Sequence, residues 1–228
     1  MIDAYNISET LEHLSNIGIK KSKQKIDHLI IKSFLAGILL SFGGLFLLTI
    51  GGGSLPLKEQ FGSSIHKTIQ AFVFPIGLVL VILTGADLFT SLLSSDPYRS
   101  FSIQYTEAKG NTPWYQMFLR GIGGNWLVCL AFCLSTSARD INSKIVAIFL
   151  PICLFIAVGF EHSIANMFTV QMGMLLGANV SIGQYILVVL LPVTFGNIIG
   201  GGFFVGGLYW YLYLAKQQQP KDNPIVDV

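Results

Sequence analysis

The 228-residue chain is 52% hydrophobic and only 11% charged, with a mean hydropathy of +0.64, whereas soluble domains carry about 25% charged residues. That balance excludes a soluble globular fold. A net charge of +2, without a basic segment interleaved with aromatics, argues against nucleic acid as a partner.

Residues 1–32 form a polar segment containing Lys20, Lys21, Lys23, Lys25 and Lys32. Ile7, Leu11, Leu14 and Ile17 recur at helical intervals, which predicts a short interfacial helix with Ser8 as its N-cap. No cleavable signal peptide is expected from these polar residues, so the first span itself directs insertion. The membrane domain is placed at 33–215 and a polar tail at 216–228. The absence of charge from 33–57, 68–86, 121–138, 145–160 and 162–215 marks the spans, because runs of that length cross lipid.

The first half-repeat, 33–90, contains spans at about 33–52 and 67–89. Residues 91–113 carry Asp96, Arg99, Glu107, Lys109 and a proline, and are predicted to be a polar loop. The second half-repeat, 114–215, contains spans at about 114–135, at 145–176 with an interruption at Glu161-His162, and at 184–214. The repeat itself is read from FLAGI at 34–38 against FLRGI at 118–122. Each is followed by a proline-containing apolar helix that ends in glycine and an acid. Interrupted helices at membrane depth line a cavity or are buried in protein, and such repeats point to channel and transporter architectures.

The basic residues conflict with this span count. Those of the N-terminus, Arg139 with Lys144, and Lys216 with Lys221 should share one side of the membrane by the positive-inside rule. Three apparent spans precede residue 139. Either one span is missing, or part of 90–112 enters the membrane.

Ionisable groups within the apolar runs mark pathways. His162 is the first candidate, because it changes charge near neutral pH and can donate to an anion. Asp87 and Glu161 either serve the pathway or accept hydrogen bonds from amides freed at the breaks. Asn125, Asn166 and Asn197 suit interhelical hydrogen bonds as well as a pore lining, and Thr90 offers a hydroxyl at the first break. Phe74, Leu78, Phe89 and Phe155 could close hydrophobic constrictions, or simply pack. Gly196, Gly200, Gly201, Gly202, Gly206 and Gly207 allow close helix approach, and Trp210, Tyr211 and Tyr213 suit an interfacial belt. Cys129, Cys133 and Cys153 read as small hydrophobes, and neither metal-ligand spacing nor a cofactor motif is present in the sequence. An intramembrane acid–base enzyme built on Glu161 and His162 lacks a nucleophile, so no enzyme is expected.

The stretches GADLFTS (85–91), GNWLVCLA (124–131), GFEHSIANMF (159–168) and PVTFGNIIGGG (192–202) together resemble the formate/nitrite transporter family, with FLRGIGGNWLVCLA similar to its fungal members. The resemblance spans about 30–214. It implies an all-α polytopic membrane protein with an aquaporin-like inverted repeat of six spans, broken second and fifth helices, and a pentamer with a pore in each protomer. It assigns His162 as the central pore histidine, with Thr90 in the first break and Asn125 as a pore amide. Leu78, Phe89, Phe74 and Phe155 become the constrictions, and Glu161 and Asn166 the support of the histidine. The chain departs from the family pattern after Ser91, where the second half of helix two and helix three are lacking, leaving about five spans. The implied function is channel-like, proton-linked transport of formate or nitrite, without a cofactor, in the plasma membrane with a cytoplasmic N-terminus. The alternative is a truncated, non-transporting member.

Overall fold

The computed structural model describes residues 4–84 and 95–215, with side chains except at 29–40, 42 and 76–84. Among these residues the chain is almost entirely helical: α1 (Ile7–Ser22), α2 (Ile26–Gly53), α3 (Leu55–Phe61), α4 (Ser63–Thr84), α5 (Tyr98–Gly110), α6 (Trp114–Ser137), α7 (Ile141–Val158) and α8 (Ser163–Leu175), then α9 (Ile182–Leu214). Helices α6, α7 and α9 are long and apolar enough to cross a membrane. The lipid-facing flanks of this bundle are apolar, with Leu150, Leu187 and Ile198 each about 60% exposed, while several of its buried side chains are polar. In hydrocarbon, apolar burial drives little, and interhelical hydrogen bonds and close packing hold helices together.

Helix α1 begins at Asn6, not at Ser8. The Asn6 side chain accepts from the Glu9 amide, and the Glu9 carboxylate accepts from the Asn6 amide, a reciprocal cap that serine at position 8 lacks a matching acid to form. The helix lies across the ends of α6 and α9. It is pinned there by the Tyr5 amide donating to the Ser137 carbonyl at 2.8 Å.

Residues 98–110, predicted to be loop, are the helix α5. Asp96 accepts from the Ser100 amide and hydroxyl and closes its first turn. Tyr98 and Phe101 pack on Gly52 and Gly51 at the end of α2, and the Gln184 side chain donates to the Gly110 carbonyl at 2.9 Å. Arg99 donates to the Leu176 carbonyl and Glu107 accepts from the Asn179 amide. Each polar residue that argued against a buried helix has therefore found a partner, and both ends of α5 lie at the face opposite α1. Ser102 and Thr106 are fully buried against α8.

Part of 90–112 is thus packed within the bundle as helix α5. Helix α6 runs from the far face to the N-terminal face, where Arg139 stacks on Tyr5 at 4.3 Å. Arg139 and the α1 region thus share a face, as the charge rule requires.

Helix α7 starts with Asp140 accepting from the Ser143 amide at 2.9 Å. Hydrogen bonds from Ser143 hold that carboxyl below the usual carboxylate range. The helix stops at Gly159, whose φ of +77° is left-handed backbone that favours glycine. Helix α9 contains wide π-type turns over Tyr185–Leu190, Ile199–Gly207 and Trp210–Leu214. Gly196 and Gly200 let it approach the α6 backbone at Phe118 and Ile122.

Candidate functional site

Residues Gly159 to His162 leave helical geometry between α7 and α8, which exposes backbone groups in the middle of an apolar segment. The cost of such groups in lipid is several kcal/mol each, so their partners identify what the break is built from. Asn197 on α9 supplies most of them. Its side-chain oxygen accepts from the Ser163 amide at 2.9 Å and hydroxyl at 3.0 Å, and its side-chain nitrogen donates to the carbonyls of Gly121 and Glu161. The Glu161 amide donates to the Arg120 carbonyl at 3.2 Å. Gly124 has no room for a Cβ, because the Glu161 carbonyl rests directly on it.

The Glu161 carboxylate therefore does not cap the break, one of the two roles open to it in the sequence. It accepts from Lys109 Nζ at 2.5 Å and from Asn166 Nδ2 at 2.9 Å. Lys109 Nζ also donates to Asn166 Oδ1 at 2.8 Å and lies 4.8 Å from the centroid of the Tyr105 ring. Lys109, Glu161 and Asn166 are all at least nine-tenths buried. A buried pair of this kind repays its desolvation only when the geometry is good and the remaining valences are filled, and Asn166 fills them from both sides.

His162 stands beside this triad. Asn125 Nδ2 donates to the Asn197 carbonyl at 2.8 Å, so its Oδ1 faces His162 Nε2 at 3.2 Å. An amide oxygen accepts only, and the ring nitrogen Nε2 therefore carries its proton in the neutral state. The lone pair of neutral His162 is then on Nδ1, where a second proton would add.

Phe74 and Phe155, on α4 and α7, face one another with ring centroids 6.4 Å apart. Together with His162, Glu161, Lys109, Tyr105 and Asn166 they line a cavity of about 20 Å³, room for about one water. The structure thus gathers His162, Asn125, Glu161, Asn166, Phe74 and Phe155 of the expected residues. Leu78 falls on α4, described there for its backbone alone, and Asp87, Phe89 and Thr90 lie outside the described residues. Lys109 was missed because its segment was read as loop. The signal that could have found it is the spacing of Ser102, Thr106 and Lys109 on one helical face. The capping role of Asn197 has no local signature, since its partners are at least 34 residues away.

Fold and site define a polytopic helical membrane protein of channel type, with a broken helix presenting a histidine to a phenylalanine-lined gap. The sequence model of the formate/nitrite transporter family matches residues 8–95 and 91–211, and the chain belongs to that family of transporters. It is 33% identical over 269 residues to a probable formate transporter of Methanothermobacter thermautotrophicus, covering 92% of this chain and 97% of the relative. It is 33% identical over 254 residues to a formate-nitrite transporter of Entamoeba histolytica, covering 91% and 70%. An uncharacterised transporter of Saccharomyces cerevisiae is 30% identical over 249 residues, with 89% of this chain and 40% of that protein covered. Among solved structures, a pentameric formate channel with formate bound aligns with a TM-score of 0.66 at 28% identity, covering 83% of this chain and all of the other. The alignment of 269 positions exceeds the 228 residues available, so the archaeal relative has residues that this chain lacks. The two family matches meet at 91–95, where the sequence reading places the missing segment.

Proposed function

We propose that this protein is a channel-like transporter of small monovalent weak-acid anions, formate or nitrite, linked to protons through His162. The observation that carries the reading is the pairing of Asn125 with His162 Nε2, which leaves the opposite ring nitrogen to exchange a proton. An anion drawn to the site takes a proton from the His162 imidazolium and becomes the neutral acid. Imidazole with the proton on Nε2 remains and is recharged from solvent. The neutral acid passes between Phe74 and Phe155 more cheaply than the ion, because an unpaired charge in an apolar gap is expensive.

Lys109 has a part in this. An ionised Glu161 alone would repel anions beside the histidine, and its hydrogen-bonded ion pair with Lys109 cancels that charge. The names of the relatives agree with formate as substrate, and the neighbour that is a pentameric channel supports a homopentamer here. The shared face of the N-terminal lysines, Arg139 and Lys144 favours a cytoplasmic N-terminus, with the plasma membrane as the expected location.

The test is formate uptake into proteoliposomes with and without an inward proton gradient. Wild-type flux should rise as external pH falls, and His162→Phe should abolish the gradient-driven part. A pH-dependent flux unchanged in His162→Phe would remove the histidine from the mechanism. The second reading, a non-transporting member that assembles with longer subunits, is favoured by the match boundary at 91–95. It predicts no flux from the wild-type protein alone.

A further inference from the structure

Proton exchange at His162 does not by itself choose between one weak acid and another, so the choice falls to the walls of the cavity beside it. We propose that Tyr105 is a specificity-determining residue of the pathway, its ring setting the largest acid that reaches His162. Formate or nitrite passes, and a monocarboxylate with one more carbon, acetate, is held back. This assignment rests on the transport function proposed above.

Among the described residues around that cavity, the aromatic walls differ in how firmly they are held. Phe74 and Phe155 stand on different helices with their ring centroids 6.4 Å apart, and parting two phenyl rings breaks dispersion contacts alone. Tyr105 is clamped. Phe101, Tyr105 and Lys109 lie one turn apart in a single row on α5, with the Phe101 ring centroid 5.9 Å from that of Tyr105 and Lys109 Nζ 4.8 Å from it on the ring face. Lys109 is itself fixed by Glu161 and Asn166, so swinging the Tyr105 ring aside would forfeit a cation–ring contact that is strongest when desolvated. The ring also packs on the apolar cluster that includes Leu47 and Phe74. The backbone beneath it is equally fixed: Thr106 is fully buried against Gly173, where a Cβ would not fit, and donates to the Thr169 carbonyl at 3.3 Å. The room left is about 20 Å³, enough for about one water. Formate, a carbon with two oxygens, gains its room when the phenyl rings part. Acetate needs space for a further methyl, and the wall at Tyr105 does not move to supply it. In a fitted pocket one carbon is worth about 10–200-fold in discrimination.

The test compares uptake of labelled formate and labelled acetate into proteoliposomes of the full-length protein under the same inward proton gradient. The acetate-to-formate ratio is the readout, because it does not depend on how much of the protein is active. Tyr105→Ala should raise that ratio by about tenfold or more, and Tyr105→Leu should raise it by less. Tyr105→Phe, which keeps the ring, should still exclude acetate. If Tyr105→Ala does not fold, Tyr105→Leu carries the test, since it keeps an apolar side chain against Leu47 and Phe74. Formate flux with an unchanged ratio in the alanine and leucine variants overturns the role of Tyr105 alone. A ratio in Tyr105→Phe as high as in Tyr105→Ala overturns the ring as the barrier and transfers the effect to the hydroxyl. Absence of formate flux from the wild-type protein overturns the transport function, and this assignment with it.

Discussion

Two buried polar clusters flank α5, and they are built to different standards. On one side Lys109, Glu161 and Asn166 join α5, the helix break and α8 in a closed, charged network. On the other, Ser54, His66 and Gln70 lie between the end of α2 and α4, with Ser54 Oγ 2.8 Å from His66 Nδ1 and the His66 ring edge-on to Phe101 at 5.6 Å. Gln70 Nε2 is buried without a hydrogen-bond partner among the described residues. The first cluster tolerates no missing member, because an ion left alone in a low-dielectric interior is far costlier than a neutral amide left alone. The second can lose a member cheaply. Completeness tracks charge, and the complete cluster is the one beside the proposed proton site.

The largest expected effect follows from breaking the charged cluster. Lys109→Met should destabilise the protein by about 3–5 kcal/mol through the unpaired Glu161, read by unfolding in mixed micelles. Lys109→Met/Glu161→Gln should recover most of that loss, and failure to recover would mean that Lys109 acts through packing and not through charge. Next comes the cap of the break: Asn197→Leu strands the Ser163 amide and the Glu161 carbonyl, at about 1–3 kcal/mol for each buried group left unpaired. Ser54→Ala, in the neutral cluster, should cost about 1 kcal/mol. The smallest effect belongs to Gln70→Leu, within about 1 kcal/mol of wild type and stabilising if anything, because its amide nitrogen forgoes no bond. A large loss there would overturn the contrast between the clusters.

Much of this arrangement is legible in the residues alone. Uncharged runs place α6, α7 and α9 within a few residues of their observed ends, and Glu161-His162 locates the break because ionisable groups seldom interrupt such a run without purpose. His162, Asn125, Asn166, Phe74 and Phe155, each named from the sequence, lie together in the structure. The segment 98–110 misleads because Arg99, Glu107 and Lys109 are counted as costs of burial, whereas Leu176, Asn179 and Glu161 offset them from far along the chain. Glu161 likewise reads as a helix-end acceptor until Lys109 is seen beside it.

Sequence by itself determined that this is a helical membrane protein, where its chain breaks, and which histidine stands at the break. Hydropathy and helical periodicity are sums of single-residue properties, and those features depend on little else. Tertiary structure decided that α5 is buried, that Lys109 neutralises Glu161 across 52 residues of chain, and that Asn197 closes the broken backbone. The reason is that the cost of a polar group in a low-dielectric interior is a property of the pair and not of the residue. Only the folded chain shows which pairs are made.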